Sequence, residues 1–250
     1  MANILILGAT SAVAGQIAHC YAEMSGKDSH RLYLIGRKKT ALDRLSQALG
    51  ALVVGSTSVD FVDREATALA VTLAYKSLGT FDIVLIAHGL IGDQLLSETN
   101  VEEAYRVIEV NYTSVVNQLV LLTQLMATQP AGKIGVITSV AGERGRPRNY
   151  TYGSAKGALA IYLQGLRSVH WGTGLEIYSF KLGPVDSPMT VDHAKNFSFS
   201  TVNEVASGIV RAFKSRRYVH YIPGYWAWVM WVVRWLPETV FQKLGFLSDR

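Results

Sequence analysis

Cysteine is nearly absent from this 250-residue chain, Cys20 being the only one. A lone cysteine closes no internal disulfide, so a reducing, cytoplasmic compartment is the economical reading, and Cys20, within an apolar helical pattern, reads as core filling. No cluster of His, Cys, Asp and Glu has zinc-ligand spacing and no nucleic-acid-binding motif occurs, so neither a metal nor a nucleic acid partner is expected. Internal repeats and low-complexity linkers are missing too, which points away from arrays and tethered modules. The apolar N-terminal run has no basic flank and is broken by Gly8 after a strand's length, so it reads as a strand and not as a secretory signal.

What is present suits one large α/β domain: 49% of the residues are hydrophobic, enough for a sizeable buried core at this length. The net charge is only +5, but its distribution is uneven. Residues 1–130 hold 9 Lys/Arg against 12 Asp/Glu, and residues 131–250 hold 15 against 7, so the C-terminal half could attract an anionic substrate or membrane surface.

Apolar, β-branched runs alternate with longer helical patterns, as in successive parallel β-α units. Strands are expected at 3–7, 31–35, 51–54, 82–87, 132–138, 175–182 and 218–221. Seven of them imply a doubly wound, Rossmann-type parallel sheet with helices on both faces, over 1–223, followed by a Trp-rich, apolar helical extension of the same domain over 224–250. Thr201-Val-Asn-Glu204 fits a capping box and predicts a helix start. Residues 183–200, with Gly-Pro and Ser-Pro steps, predict an irregular, lid-like segment after the sixth strand.

In such a sheet the ligand lies beyond the C-terminal strand ends. Residues 8–15, Gly-Ala-Thr-Ser-Ala-Val-Ala-Gly, directly follow the first strand, so Gly8, Thr10, Ser11, Ala12 and Val13 could present backbone amides and a helix N-terminus to a pyrophosphate. An ordinary tight turn is the alternative; Ala12 and Ala14 are small enough to begin a helix and still allow fairly close approach, although the Ala14 methyl could push the pyrophosphate outward. After the second strand come Gly36, Arg37 and Lys38, where a carboxylate would accept the ribose hydroxyls of NAD. Glycine leaves room there for a 2′-phosphate that Arg37 clamps and Lys38 supports, which favours NADP(H); the alternative is a solvated helix start. Asp60 could accept from the adenine amine, or be an acidic loop residue.

Tyr152 and Lys156, four apart, share a helical face, and Ser139 closes the fifth strand thirteen residues upstream. A tyrosine hydroxyl has a pKa of about 10, and a neighbouring ammonium favours its ionised form, so Lys156 is expected to make Tyr152 an acid/base. Ser139 would hydrogen-bond a carbonyl oxygen, and Asn111, in a long helical pattern, would hold a water between Lys156 and solvent.

On these residues the chain resembles the short-chain dehydrogenases/reductases over nearly its whole length. The resemblance implies Ser139, Tyr152, Lys156 and Asn111 as the catalytic group, with Tyr152 and Lys156 also at the nicotinamide ribose. Residues 182–187, Leu-Gly-Pro-Val-Asp-Ser, correspond to the family's Pro-Gly-x-Val-x-Thr, which implies that Val185 and Ser187 contact the nicotinamide carboxamide. Residues Ile86, Ala87, His88 and Gly89 stand where the family has Asn-Asn-Ala-Gly; Ala87, His88 and Gly89 are assigned to the cofactor, His88 as a packed neighbour rather than an added catalyst. Leu7 replaces the family threonine before the first glycine, and Ala12 and Ala14 replace later glycines. The family also implies a homodimer or tetramer.

A looser resemblance, carried by "HGLIGD", "VNYTSVV", "AGERGRPRNYTYGSAKGAL" and "WVVRWLPETVFQKL", is to bacterial reductases of decaprenylphosphoryl-2-keto-arabinose-type intermediates in keto-ribose epimerisation. It implies an NADPH-dependent reduction of a keto-sugar on a polyprenyl phosphate. Arg144, Arg146 and Arg148 would receive its phosphate, or form a basic surface loop. The twelve residues 225–236 include four of the five tryptophans and are too few to span about 30 Å of hydrocarbon. They could lie in the interface, with Arg234 and Lys243 meeting anionic lipid at the inner face of the membrane, or form an oligomer contact or pocket wall. A small soluble ketone as substrate, and a non-catalytic NADP-binding regulator, are the alternative functions.

Overall fold

Strands rich in Ile, Leu and Val can be buried on both faces only inside a parallel sheet covered by helices. The computed structural model, which describes residues 1–24, 30–191 and 198–244, has that layout. The chain runs β1 (Asn3–Leu7), α1 (Ala12–Met24), β2 (Arg31–Gly36), α2 (Lys39–Leu49), β3 (Val53–Ser58), α3 (Arg64–Leu78) and β4 (Ile83–Ile86). It continues through α4 (Gln94–Ser97), α5 (Val101–Ile108), α6 (Ser114–Met126), β5 (Gly132–Ser139), α7 (Tyr150–Val169) and β6 (Leu175–Leu182). It then forms α8 (Val202–Ala212), β7 (Val219–Ile222), α9 (Trp226–Trp235) and α10 (Glu238–Lys243).

The strands form one seven-stranded parallel sheet in the order β3-β2-β1-β4-β5-β6-β7. One core joins a sheet face to α1, α2 and α8, and a second joins the other face to α3, α6 and α7. The order reverses between β1 and β4, so the crevice for a ligand opens at their carboxyl ends.

The third strand is displaced from its expected place. Residues 50–52 form a 3₁₀ turn after α2, and β3 begins at Val53. As an edge strand its side chains alternate between half-buried and exposed positions, so Val-Val-Gly-Ser-Thr-Ser carries no apolar run to mark it. Asn111 lies not in a regular helix but in a π-helical turn, residues 109–113, between α5 and α6.

The expected capping box at Thr201 and Glu204 is formed, with the Glu204 amide donating to Thr201 Oγ1 at 3.2 Å. The segment expected to be lid-like is closed at its base: Val185 pairs with Ser200, and the amides of Asp186 and Ser200 donate to Ser200 O and Pro184 O. Within it residues 188–190 form a 3₁₀ turn, while 192–197 fall outside the described residues. In the C-terminal extension, Trp226, Met230 and Val233 on α9 and Phe241 on α10 pack with Val140 beside the end of β5. The opposite face of α9 is open, with Trp228 and Trp235 each 75% exposed; residues 245–250 fall outside the described residues.

Candidate active site

Close approach of α7 to the loop after β5 builds the reacting centre. A methyl at Gly157 would lie 2.7 Å from Gly142 O, and one at Gly153 would lie 2.8 Å from Ala141 O. These bare backbones let the start of α7 lie against residues 140–143, which brings the Tyr152 hydroxyl into hydrogen-bonding reach of Ser139. Ser139 caps the 3₁₀ turn that follows it, its Oγ accepting from Ala141 N at 3.1 Å.

Lys156 is 3% exposed, with Nζ donating to Ile137 O at 3.3 Å and lying 5.8 Å from the Tyr152 ring centre. Burial pushes its ammonium down to about 8. Burial also pushes the Tyr152 hydroxyl up to about 12, against the lowering pull of the Ser139 hydrogen bond. The resting tyrosine therefore holds its proton at neutral pH.

Asn111 adjoins this group: a side chain at Gly89 would meet Asn111 Oδ1 at 2.9 Å and Lys156 Nζ at 3.4 Å. Its amide is committed to the backbone, donating to Leu90 O at 2.6 Å and Val107 O at 2.8 Å while Oδ1 accepts from Leu90 N. These bonds clasp the loop after β4 to the π turn and leave Oδ1 one further lone pair.

The crevice at the ends of β1 and β4 has the form of a dinucleotide cradle. Gly8 has φ +85°, and a methyl there would lie 2.5 Å from His88 N, so glycine allows the two loops to touch. The amides of Gly8 and Ala9 anchor the loop to Ile35 O, Ser11 Oγ accepts from Ala14 N, and Thr10 packs against bare Gly36. Ala12 and Val13 begin α1, so their amides have no intrahelical acceptor and are available to an anion. The Ala14 methyl does not crowd that place: it is fully buried in the core. Arg37 and Lys38 are exposed just past β2, and no carboxylate stands between Gly36 and Lys39. Asp60, exposed two residues beyond β3, accepts from Val62 N. These residues fit a dinucleotide with a 2′-phosphate.

Ala87 is buried, its amide donating to Leu7 O. His88 stacks on Phe61 with ring centres 4.1 Å apart and lies 3.0 Å from Ser114 Oγ through Nε2. Burial, reinforced by Lys156 and Arg37, pushes it down to about 3, so His88 is a neutral packing residue and not an acid. Val185 is buried, and Thr190 ties Val185 O and Ser187 O together through its hydroxyl.

A family model described as short chain dehydrogenase matches residues 2–197. The chain belongs to the short-chain dehydrogenase family. An uncharacterized oxidoreductase of Streptomyces coelicolor is 30% identical over 97% of this chain and 95% of its own length. One from Mycobacterium tuberculosis is 29% identical over 97% of both. A Burkholderia cenocepacia short chain dehydrogenase solved in complex with NADP superposes with a TM-score of 0.77 at 18% identity, covering 94% of this chain and 98% of that one. An actinorhodin polyketide ketoreductase variant solved with NADPH also gives 0.77 at 18% identity, covering 90% and 97%.

The three arginines of the β5–α7 loop have different fates in this dehydrogenase. Arg144 donates through Nη1 to Val233 O and Leu236 O at the end of α9 and lies over the Phe241 ring, so it holds the C-terminal helices. Arg146 is buried and Arg148 is exposed. Arg234, expected at lipid, meets the Glu143 carboxylate at 3.4 Å through Nε while its side chain stays half exposed.

Several residues around the site carried no signal in the sequence. Glu143 Oε1 accepts from Lys181 Nζ at 2.7 Å and from Tyr221 at 2.6 Å, joining the loop after β5 to β6 and β7. Only the sheet order brings these three together. Phe61 and Ser114 around His88 are likewise far apart in the chain; the departure at His88 was the one clue that its surroundings had changed. A cavity of about 670 Å³ between α8 and β7, lined by Glu204, Arg211 and Tyr225 among others, contains none of the catalytic residues. Convergence of Ser139, Tyr152 and Lys156 is the firmer guide to the chemistry.

Proposed function

We propose that this short-chain dehydrogenase is an NADPH-dependent carbonyl reductase. The observation that carries the reading is the Tyr152 hydroxyl, protonated at rest, bonded to Ser139 and backed by the buried Lys156. Bound NADPH would supply the hydride. The loop at Gly8, Thr10, Ser11, Ala12 and Val13 would hold the pyrophosphate, Arg37 and Lys38 the 2′-phosphate, and Asp60 the adenine amine. Ala87, His88 and Gly89 would wall the ribose, and Val185 and Ser187 would hold the carboxamide. NADP and NADPH in the two structural neighbours support the choice of cofactor.

Ser139 Oγ donates to the carbonyl oxygen and fixes it next to Tyr152. As charge builds on that oxygen, Tyr152 donates its proton. Tyr152 carries its proton at neutral pH and can therefore serve as the donor in the reductive direction. Lys156, pushed down to about 8, still carries most of its proton at pH 7 and stabilises the tyrosinate that donation leaves behind.

Tyr152→Phe should retain NADPH binding and lose turnover by about 10²–10⁴-fold. Single-turnover NADPH oxidation against a panel of ketones and keto-sugars is the measurement, and full turnover in a folded Tyr152→Phe protein would refute the assignment. Tight NADPH binding with no turnover of any carbonyl by the unmodified protein would favour a regulator instead. For the substrate we propose a keto-sugar carried on a polyprenyl phosphate. The open tryptophan face of α9, anchored next to the Ser139 loop, supports that class over a small soluble ketone.

A further inference from the structure

Arg146 is a charge without a partner. It is only 9% exposed, Nε has no acceptor, and Nη2 reaches only the Met230 thioether at 3.9 Å. Among the described residues no carboxylate pairs with it; Glu143, three residues before it, accepts from Lys181 and Tyr221 at Oε1 and has Arg234 Nε 3.4 Å from Oε2. The charge that Arg146 does feel is that of Arg148, which with burial pushes its guanidinium pKa down. Buried cations are ordinarily paired, because desolvation costs several kcal/mol or more when nothing offsets it. Folding alone gives no reason to keep one here.

A second unpaired donor lies on α9. Trp226 is 8% exposed and its indole N–H is buried with no acceptor. Trp226 and Met230 are four apart on α9, hence on one helical face, so the indole shares that face with the thioether that Arg146 reaches. The indole rests on Gly183, where any side chain would collide with it. Gly183 directly follows β6, whose last residue, Leu182, pairs with Ser139 on β5. Both groups can only donate, so their complement is an acceptor, and the guanidinium makes it an anion.

We infer that Arg146 and the Trp226 indole form a receptor for an anionic group, a phosphate or a carboxylate, carried by the carbonyl substrate close to the carbon that is reduced. The inference rests on the reductase reading for its substrate and on the two orphan donors for its site. Arg144 in the same loop differs, since its Nη1 donates to the carbonyls that end α9.

Thermal shift and calorimetry on the full chain test it, with the protein saturated in NADP so that the 2′-phosphate site at Arg37 is filled. Phenyl phosphate should raise the unfolding midpoint of the unmodified protein and bind saturably. Arg146→Met should unfold at a higher midpoint before any ligand is added, because the burial cost is gone, and should lose at least tenfold in phenyl phosphate affinity. Arg146→Lys should keep part of it. Should Arg146→Met fail to bind NADP, Trp226→Phe reads the same site through its other donor, with an expected loss of severalfold. Equal responses of the unmodified protein and both variants would overturn the receptor.

Dodecyl phosphate separates the sources of the anion. Similar affinities for the two phosphates point to a soluble substrate, and a much tighter hold on the long chain points to a lipid phosphate. If the unmodified protein fails to bind NADP, the reductase reading falls. The phosphate titration repeated in Arg37→Ala then still decides whether Arg146 binds an anion.

Discussion

Lys156 carries its charge in a place that disfavours charge, and the consequence is measurable. An unfolded lysine keeps its proton to about pH 10.5, whereas the folded one releases it near 8. Between those values the unfolded chain binds more protons, so this group adds stability as pH rises. Its penalty, about 3 kcal/mol below pH 8, is relieved progressively above it. Tyr152, raised to about 12, works in the opposite direction above pH 10, so the window is pH 8 to 10. Urea midpoints should climb across that window in the unmodified protein relative to Lys156→Met, and parallel curves would rule the effect out. Tyr152, Lys156 and Ser139 were legible from spacing alone because two share a helical turn and the third ends a strand. What spacing does not show is burial, which raises Tyr152 and lowers Lys156.

Among elements, the meeting of α7 with the loop after β5 sets the catalytic distance, through Gly142, Gly153 and Gly157. Gly157→Ala places its methyl 2.7 Å from a backbone oxygen that no rotamer can move. Overpacking of this kind typically costs about 1–3 kcal/mol. A shift of the helix away from Ser139 should reduce turnover by about 10²-fold, since misplacement by 1 Å is enough for that. NADPH titration by fluorescence should still show binding, and unimpaired turnover in Gly157→Ala would sink the idea. Most elements were legible because their burial is periodic. β3 was misplaced because an edge strand alternates exposed and half-buried residues, and the π turn at Asn111 was invisible because five residues are too few to show a period of their own.

For the molecule as a whole, the sheet order puts the cofactor crevice at β1 and β4 and leaves the basic C-terminal half to form the substrate side. There α9 turns one face inward to Val140 and the other outward, and no helix among the described residues is long and apolar enough to cross a membrane. Tryptophans at 228, 231 and 235 suit the headgroup level of an anionic bilayer. Replacing all three with serine should abolish flotation with anionic vesicles while NADPH binding persists; vesicle binding that survives the change, or is absent from the start, would remove the lipid-surface reading. The inward face of α9 escaped notice in the sequence because a stretch apolar all round gives no sign of which side packs. The short pairing of Val185 with Ser200 has a wider meaning. It ties the residues that follow β6 to those that lead into α8. A substitution at Ser200 is therefore felt at Val185, on the strand-end side where the carboxamide contact is proposed.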